Sequence, residues 1–509
     1  MAVRMTGMIS GLDTESLIQG MVDAQRLKNK RVEDKQTLLT WKQDKWKELN
    51  AKLYKLYTED LSKMRLQGSY LTKSVTSSND SLVSVSAGTT AANGTHTLKV
   101  NNLASSQYVT GGKITTDKNG AAITTATKLT DLNITAGTKI TIGSKTLTVG
   151  TDTTVTNFVD TAKSAGLNAN FDATQGRFFI SSKNSGVANG FQVIAKDSLN
   201  NDANNLLANL GLDAVKADGT KYDPASTLST VVAAEDSNIT YNGAVLTGSS
   251  NVFAVNGLTI TLKGETQALE TISLNVANDT QATYDMVKKF VNSYNEILKE
   301  MNELYYAPSA SGYAPLSDDE KEAMTEDQIE KWETKIQDSI LRRDSTLGAL
   351  IDGMRTSLTK STDVAGKNYS LSSFGIQTSS DYSEKGLLHI YGDEDDKVYA
   401  TNSNKLMKAL EEKPEVVMEA LSEITQNLYS TMKDKMDAIP NVRSALTFYN
   451  DKTMAKQQTD YAKQIAILEE KLTAMEDKYY KQFAAMETAM AKMQSQSSAL
   501  AGMFGTSNQ

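Results

Sequence analysis

The sequence predicts an α+β multidomain protein, with long terminal coiled-coil helices and a helical leg domain, and with two nested β-rich head domains inserted between sequence-distant halves. Three observations predict it. Apolar residues recur at helical spacing near both ends; the composition after about Ser74 shifts to Ser, Thr, Asn, Gly and Val; and helical periodicity returns at Asp279. Methionine follows the same division, being absent between Met64 and Met286.

Gly11, Leu12 and Asp13 introduce the first helix, with Asp13 suited to N-cap it because its carboxylate can accept from first-turn amides. Leu17, Met21 and Ala24 are expected to line one side. Leu39, Trp46, Leu49, Leu53 and Leu56 continue as a heptad-spaced seam on a helix reaching about Leu66. Alternation then predicts strands over Ser81–Ser86, His96–Val100, Lys139–Val149 and Phe178–Ser182, punctuated by Asn-Gly pairs at Asn119, Asn189, Asn242 and Asn256. A helix over about Val155–Gly166 interrupts them with Phe158, Val159 and Ala162 on one face, and a short one covers Asn201–Leu210.

From Asp279, Tyr284, Val287, Val291, Tyr294, Leu298, Met301 and Tyr305 step by three and four, and Met286, Phe290, Ile297 and Leu304 widen the face to that of a bundle helix. An acidic helical segment around Glu320–Ile340, a helix over Asp344–Leu358, strands near Phe374–Thr378 and Leu387–Tyr391, and two helices flanking Pro414 follow. The last stretch, Asp451–Gln496, holds neither proline nor glycine and as one helix would run roughly 70 Å. Tyr461, Ile465, Leu468, Leu472, Met475, Tyr479, Phe483, Met486, Met490 and Met493 form its seam for a partner helix. The steps through Leu472, Met475, Tyr479 and Phe483 make an eleven-residue unit that relaxes left-handed supercoiling.

Residues 1–42 and 451–509 are thus expected to pair as terminal coiled-coil helices, 43–75 and 279–450 to form the helical leg, 76–112 and 234–278 one head, and 113–233 a second head inserted in it.

The chemistry classes narrow quickly. A net charge of -8 and a pI near 5.2, with no basic run, argue against a nucleic-acid or anionic-membrane partner. The absence of cysteine excludes thiol catalysis, disulfides and thiolate metal sites. Met1–Gly11 lacks the apolar core of a cleaved secretory signal, and no apolar run reaches the 18 residues of a bilayer span. His96 and His389, each alone in a β-like stretch, read as structural or surface groups rather than general bases. Asp393, Glu394, Asp395 and Asp396 read as a solvated acidic loop rather than a calcium site, since Lys397 stands at a ligand position and the mid-loop glycine is missing. Gly143-Ser144-Lys145-Thr146 fails as a phosphate loop because Ser precedes the lysine and strands flank it on both sides. No catalytic constellation, metal site or cofactor site is expected. Met475, Met486, Met490 and Met493 fit either ordinary packing or an adaptable surface that re-packs against changing neighbours.

Several stretches together resemble the flagellar hook-associated protein 2 family of filament-capping proteins. These are Gly11-Leu12-Asp13 with the Leu17–Gln25 helix, Leu98-Lys99-Val100-Asn101-Asn102-Leu103-Ala104, Phe290-Val291-Asn292-Ser293-Tyr294-Asn295, Leu406–Val417, and Tyr479–Glu487 through Gln494–Ser497. Ile140–Val149, the helix near Phe158 and Ala169–Arg177 resemble a strand-helix-hairpin module of flagellins and hook proteins, and Pro315–Asp344 an insert found in part of the family. Leu388–Ser403 is longer and more acidic than the family's usual connection, and Ala499 stands where an aromatic is frequent. The resemblance implies export through the flagellar type III apparatus without a cleaved signal, and a homo-oligomeric ring at the extracellular filament tip that promotes flagellin insertion. It also implies contacts with flagellin and hook-filament junction proteins, and with an export chaperone at the C-terminal helix. The alternative is an adhesin whose heads bind a host or surface ligand. Leu17, Met21, Trp46, Leu49, Leu53, Leu468, Leu472, Met475, Tyr479, Phe483, Met486, Met490 and Met493 are the candidates for oligomer and filament contact.

Overall fold

The computed structural model describes residues 13–504, so Gly11 and Leu12 of the expected helix entry lie outside the described residues. Asp13 caps the first helix, α1 (Thr14–Leu56), its carboxylate accepting from the Ser16 amide at 3.1 Å and the Ser16 hydroxyl at 2.6 Å. A π turn over Tyr57–Leu61 and the short α2 (Ser62–Met64) end this run. In the π turn, Tyr57 stacks on Tyr429 at 4.3 Å, and the Arg65 guanidinium lies over the Tyr429 ring 4.2 Å from its centroid.

The chain then enters a β-rich unit, Leu71–Asp279. Its strands in order are β1 (Lys73–Ser77), β2 (Val83–Ala87), β3 (Gly94–Asn102), β4 (Tyr108–Thr110), β5 (Lys139–Ile142), β6 (Lys145–Thr148), β7 (Leu167–Asp172), β8 (Arg177–Ser182), β9 (Val193–Lys196), β10 (Thr230–Val232), β11 (Ser237–Tyr241), β12 (Ala244–Gly248), β13 (Val252–Val255), β14 (Leu258–Leu262) and β15 (Ile272–Asn278), with the helix α3 (Val155–Ser164) between β6 and β7. A five-stranded sheet, β1-β15-β3-β11-β12, and a three-stranded one, β13-β14-β2, enclose a core of Val83, Leu98, Ile239, Ile260 and Ile272. The alternation of each strand places these side chains on the inner face. The hairpins β11–β12 and β13–β14 turn on Asn242-Gly243 and Asn256-Gly257, all four with positive φ, as two-residue type I′ turns require. Gly257 is doubly constrained, since a Cβ there would lie 2.6 Å from the Ala91 amide nitrogen.

A second core of the β-rich unit lies within the sequence span of the first. The sheets β10-β4-β8-β7 and β6-β5-β9 pack with α3 around Phe158, Phe171 and Phe178, whose ring centroids lie 4.8–5.0 Å apart in edge and tilted contacts. Thr154 and Asn157 form the capping box of α3. Val109 of β4 is buried in this core, which therefore begins before residue 113. The Gly143-Ser144 pair is the turn of the β5–β6 hairpin.

Asp213 ties a loop of this second core. Its buried carboxylate meets Lys221 at 2.8 Å and the Ser229 amide and hydroxyl at 2.9 and 2.7 Å. Burial alone would raise this carboxyl, but the Lys221 pair and the Ser226 and Ser229 hydrogen bonds prevail and hold it at about 2. A depressed carboxyl contributes stability that is full above its unfolded value near 4 and is lost as pH falls toward 2. Asp213→Ala is expected to cost about 3 kcal/mol by leaving Lys221 unpaired, and to flatten the acid limb of stability between about pH 4 and 2, as read by urea denaturation.

The flanking stretches form the helical unit. It contains α4 (Thr280–Tyr305), α5 (Asp318–Glu322), α6 (Glu326–Asp338), α7 (Ser345–Thr359), the ribbons β16 (Thr362–Val364) with β17 (Lys367–Tyr369) and β18 (Ile376–Thr378) with β19 (Leu388–Ile390), then α8 (Lys405–Glu412), α9 (Pro414–Met436) and α10 (Asp451–Phe504). Asp344 caps α7, and Pro414 occupies the first turn of α9, where its missing N–H costs nothing. The core gathers Trp46, Leu49 and Leu53 of α1, Phe290, Tyr294 and Leu298 of α4, Met354 of α7 and Leu421, Ile424 and Leu428 of α9.

Candidate functional site

The two ends of the chain pair with each other. Asn50 accepts from the Phe448 amide at 2.8 Å, Gln458 donates to the Thr40 hydroxyl at 2.7 Å and the Gln36 carbonyl at 3.2 Å, and Arg26 meets Glu476 at 3.0 Å. Farther along, the Tyr480 hydroxyl donates to Glu15. Residue numbers fall along α1 as they rise along α10, so the pair is antiparallel. At 1.5 Å per residue the 54-residue α10 runs about 80 Å.

Its seam is only partly covered. Tyr461, Ile465, Leu468, Leu472, Met475, Tyr479, Phe483 and Met490 are each half-buried, whereas seam residues of a closed bundle would be fully so. Met486 and Met493 depart from the expected seam, being 38% and 63% exposed, and Glu487 takes the buried position. The eleven-residue step explains this: steps of four rotate the inward face, and the rotation carries on from Phe483 to Glu487 rather than reversing to Met486. Met486, Met493 and Leu500, the last 54% exposed, stand seven residues apart on one outward stripe. Of the four methionines, Met486 and Met493 are exposed, whereas Met475 and Met490 are half-buried in the seam.

On α1 the expected face is turned by one residue. Leu17 and Met21 are 43% and 47% exposed and Ala24 is exposed, while Ile18, Val22 and Asn29 point inward. One residue rotates a helix by about 100°, enough to exchange inner and outer stripes. Trp46, Leu49 and Leu53 require a different correction. They are enclosed in the core of their own helical unit, with Trp46 stacked on Tyr449 at 5.7 Å, and offer no surface to another copy. Sequence reading also missed Arg26–Glu476 and Tyr480–Glu15, whose partners lie more than 400 positions apart, so no local spacing announces them. Midway along the pair, Glu33 faces Glu469; burial first, then this like charge, raises the Glu33 carboxyl.

The acidic loop is solvated only in part, with Glu394 and Asp395 exposed and Asp393 and Asp396 drawn inward. Asp393 is buried and meets Lys288 of α4 at 2.5 Å, Asp395 meets the same ammonium at 2.6 Å, and Asp396 and Glu384 bracket His389 at 2.6 and 2.9 Å. Burial would lower the Lys288 ammonium, but its two carboxylates prevail and push it up. The loop is an electrostatic clamp on α4. His96 stacks on Tyr241 and contacts the Ala92 carbonyl and Asn242. No cluster of three His, Cys, Asp or Glu suited to a metal ion occurs among the described residues, and no described helix is long and apolar enough to cross a membrane.

An α+β protein whose paired chain ends flank two inserted β-rich cores is the class this geometry defines. The family model described as flagellar hook-associated protein 2 C-terminus matches residues 234–495, and that for the N-terminus matches 10–107. The chain belongs to the flagellar hook-associated protein 2 family. It is 26% identical to the flagellar hook-associated protein 2 of Halalkalibacterium halodurans, over 99% of this chain and 100% of that one. It is 28% identical to the B-type flagellar hook-associated protein 2 of Pseudomonas aeruginosa, over 84% and 82% respectively. The crystal structure of the flagellar cap protein FliD from Escherichia coli is similar in fold, with a TM-score of 0.51 at 20% identity over 77% of this chain and 96% of that one.

Proposed function

We propose that the protein is the cap of the bacterial flagellar filament, assembling as a homo-oligomeric ring at the extracellular tip and promoting the insertion and polymerisation of flagellin. The observation that carries this reading is the match of the family models at both chain ends, the same ends that pair with a seam left half open. A half-covered seam and two outward apolar stripes suit helices that engage and release a filament end, because their remaining apolar surface gains from a further helix. The division into terminal coil, leg and two heads belongs to the same proposal, supported by the three separate cores. Self-association through the heads is supported by Tyr108, Val232 and Phe179, exposed together on the outer face of the β10-β4-β8-β7 sheet. Export without a cleaved signal, and a chaperone on the C-terminal helix that shields Met486, Met493 and Leu500, complete the reading.

The test is deletion of the gene. The expected result is flagellin shed into the medium as monomer in place of filament, restored by the intact gene. Normal filaments on cells that have lost only attachment would overturn the reading in favour of an adhesin.

A further inference from the structure

The helical unit contains a cavity of about 310 Å³ between α4, α7 and the β18–β19 ribbon, apart from every contact discussed for the chain ends. Tyr294 lines it. This side chain is 1% exposed, and its hydroxyl makes no hydrogen bond among the described residues, which leaves the donor available to a molecule in the cavity. Burial pushes the phenol up, so it stays a neutral donor. At the rim stands Arg355, which forms no ion pair or hydrogen bond among the described residues. Its guanidinium lies against the backbone of Gly386, whose φ of +91° and missing side chain make room; a Cβ there would fall 2.7 Å from the Arg355 Nε. No carboxylate lines the cavity, so the guanidinium charge is unopposed within it.

The third wall is a strand edge. Ile376, Gln377 and Thr378 all border the cavity. Ile376 and Thr378 share one face of the ribbon with Leu388, the register partner of Thr378, and Gln377 between them, on the opposite face by alternation, brings the lining round to the edge of β18. That edge is free, since β18 pairs with β19 alone among the described strands. Leu358, Leu371 and Leu388 supply an apolar lining beside it.

We propose that this cavity binds an extended peptide segment carrying a carboxylate, which adds as a third strand along β18 while Arg355 and the Tyr294 hydroxyl hold the carboxylate and a neighbouring apolar side chain fills the space against Leu358, Leu371 and Leu388. Main-chain pairing supplies affinity in this mode and the pockets beside the strand supply selection. A guanidinium with a hydroxyl donor matches the acceptors of a carboxylate, whether it comes from an acidic side chain or from a chain end. The site stands independently of the filament-end reading and could hold with or without it.

The test uses the full-length protein on three immobilised pools of random octapeptides. One pool has both ends capped and a fixed central Glu, one is its Gln counterpart, and one is the Gln pool with a free C-terminal carboxylate. Retention on a carboxylate-bearing pool is expected to exceed that on the capped Gln pool by about tenfold, in keeping with a charge-assisted bond. The preference should vanish in Arg355→Gln, fall severalfold in Tyr294→Phe, and disappear when alternate backbone amides of the peptides are N-methylated. Preference for the Glu pool places the carboxylate on a side chain, and preference for the free-acid pool places it at a chain end. Arg355 is exposed, so its substitution leaves the fold intact and keeps the test decisive even if Tyr294→Phe folds poorly. No retention, equal retention on all pools, or an Arg355→Gln protein that keeps the preference would overturn the proposal.

Discussion

Trp46→Ala is expected to destabilise the helical unit by about 3–5 kcal/mol, a large share of the roughly 5–15 kcal/mol that holds an ordinary domain together. The residue is 1% exposed and stacked on Tyr449 with only 13° between the ring planes. It sits where α1 leaves the terminal pair and enters the core, one turn from Asn50, whose bond to the Phe448 amide fixes the approach to α10. Truncation removes both the stack and the packing that orients this turn, and the surrounding helices can close only part of the cavity. Urea denaturation should show the transition of the helical unit moving to lower denaturant, while that of the β-rich unit, which has separate cores, stays in place. Trp46→Phe should recover about half the loss. A cost below about 1 kcal/mol would mean that α1 and the turn before α10 do not pack this way in solution.

Much of the architecture was legible because local chemistry and long-range packing agree. Asp13 is a cap in both sequence and structure, and Asn242-Gly243 and Asn256-Gly257 turn hairpins where their backbone demands it. The inner face of α1 was harder to see. Ile18, Val22, Gln25, Asn29, Val32, Gln36, Leu39, Gln43, Trp46, Asn50, Leu53 and Tyr57 step by four and three without a break, and all are buried or half-buried. Half of the first ten are Asn or Gln, so a search for apolar residues settles on Leu17 and Met21 instead. The signal was the period itself, read regardless of polarity, with buried Asn29 accepting from Gln25 at 3.1 Å as the kind of polar seam position that sets register. The clamp on Lys288 and the cavity at Tyr294 were not legible, because Lys288 meets residues 105 and 107 positions on, and Tyr294 shares its cavity with residues 61 to 94 positions on, through tertiary packing alone.

The other large effect concerns the outward stripe of α10. Met486→Gln, Met493→Gln and Leu500→Gln combined are expected to leave the chain's denaturation unchanged within about 1 kcal/mol, since each side chain is already exposed. Function should nonetheless collapse. Covering such side chains with a partner helix yields about 1 kcal/mol each at half their full burial value, so losing three weakens each copy's hold by about 100-fold. Filament length should shorten at least tenfold, with flagellin appearing free in the medium, as measured by electron microscopy and by sedimentation of the culture supernatant. A companion variant separates apolar surface from adaptability: Leu at Met475, Met486, Met490 and Met493 preserves the area but removes the unbranched, polarizable chains. If the Leu variant caps normally while the Gln variant fails, the stripe acts through apolar area alone. If both fail, the ability to re-pack against changing neighbours is what the methionines contribute. Hydrogen exchange in dilute monomer supplies the remaining check, because a half-covered seam should exchange readily over Leu468–Met493. Strong protection there would show that the α1–α10 pair needs no partner, and would remove the reason for the stripe to seek one.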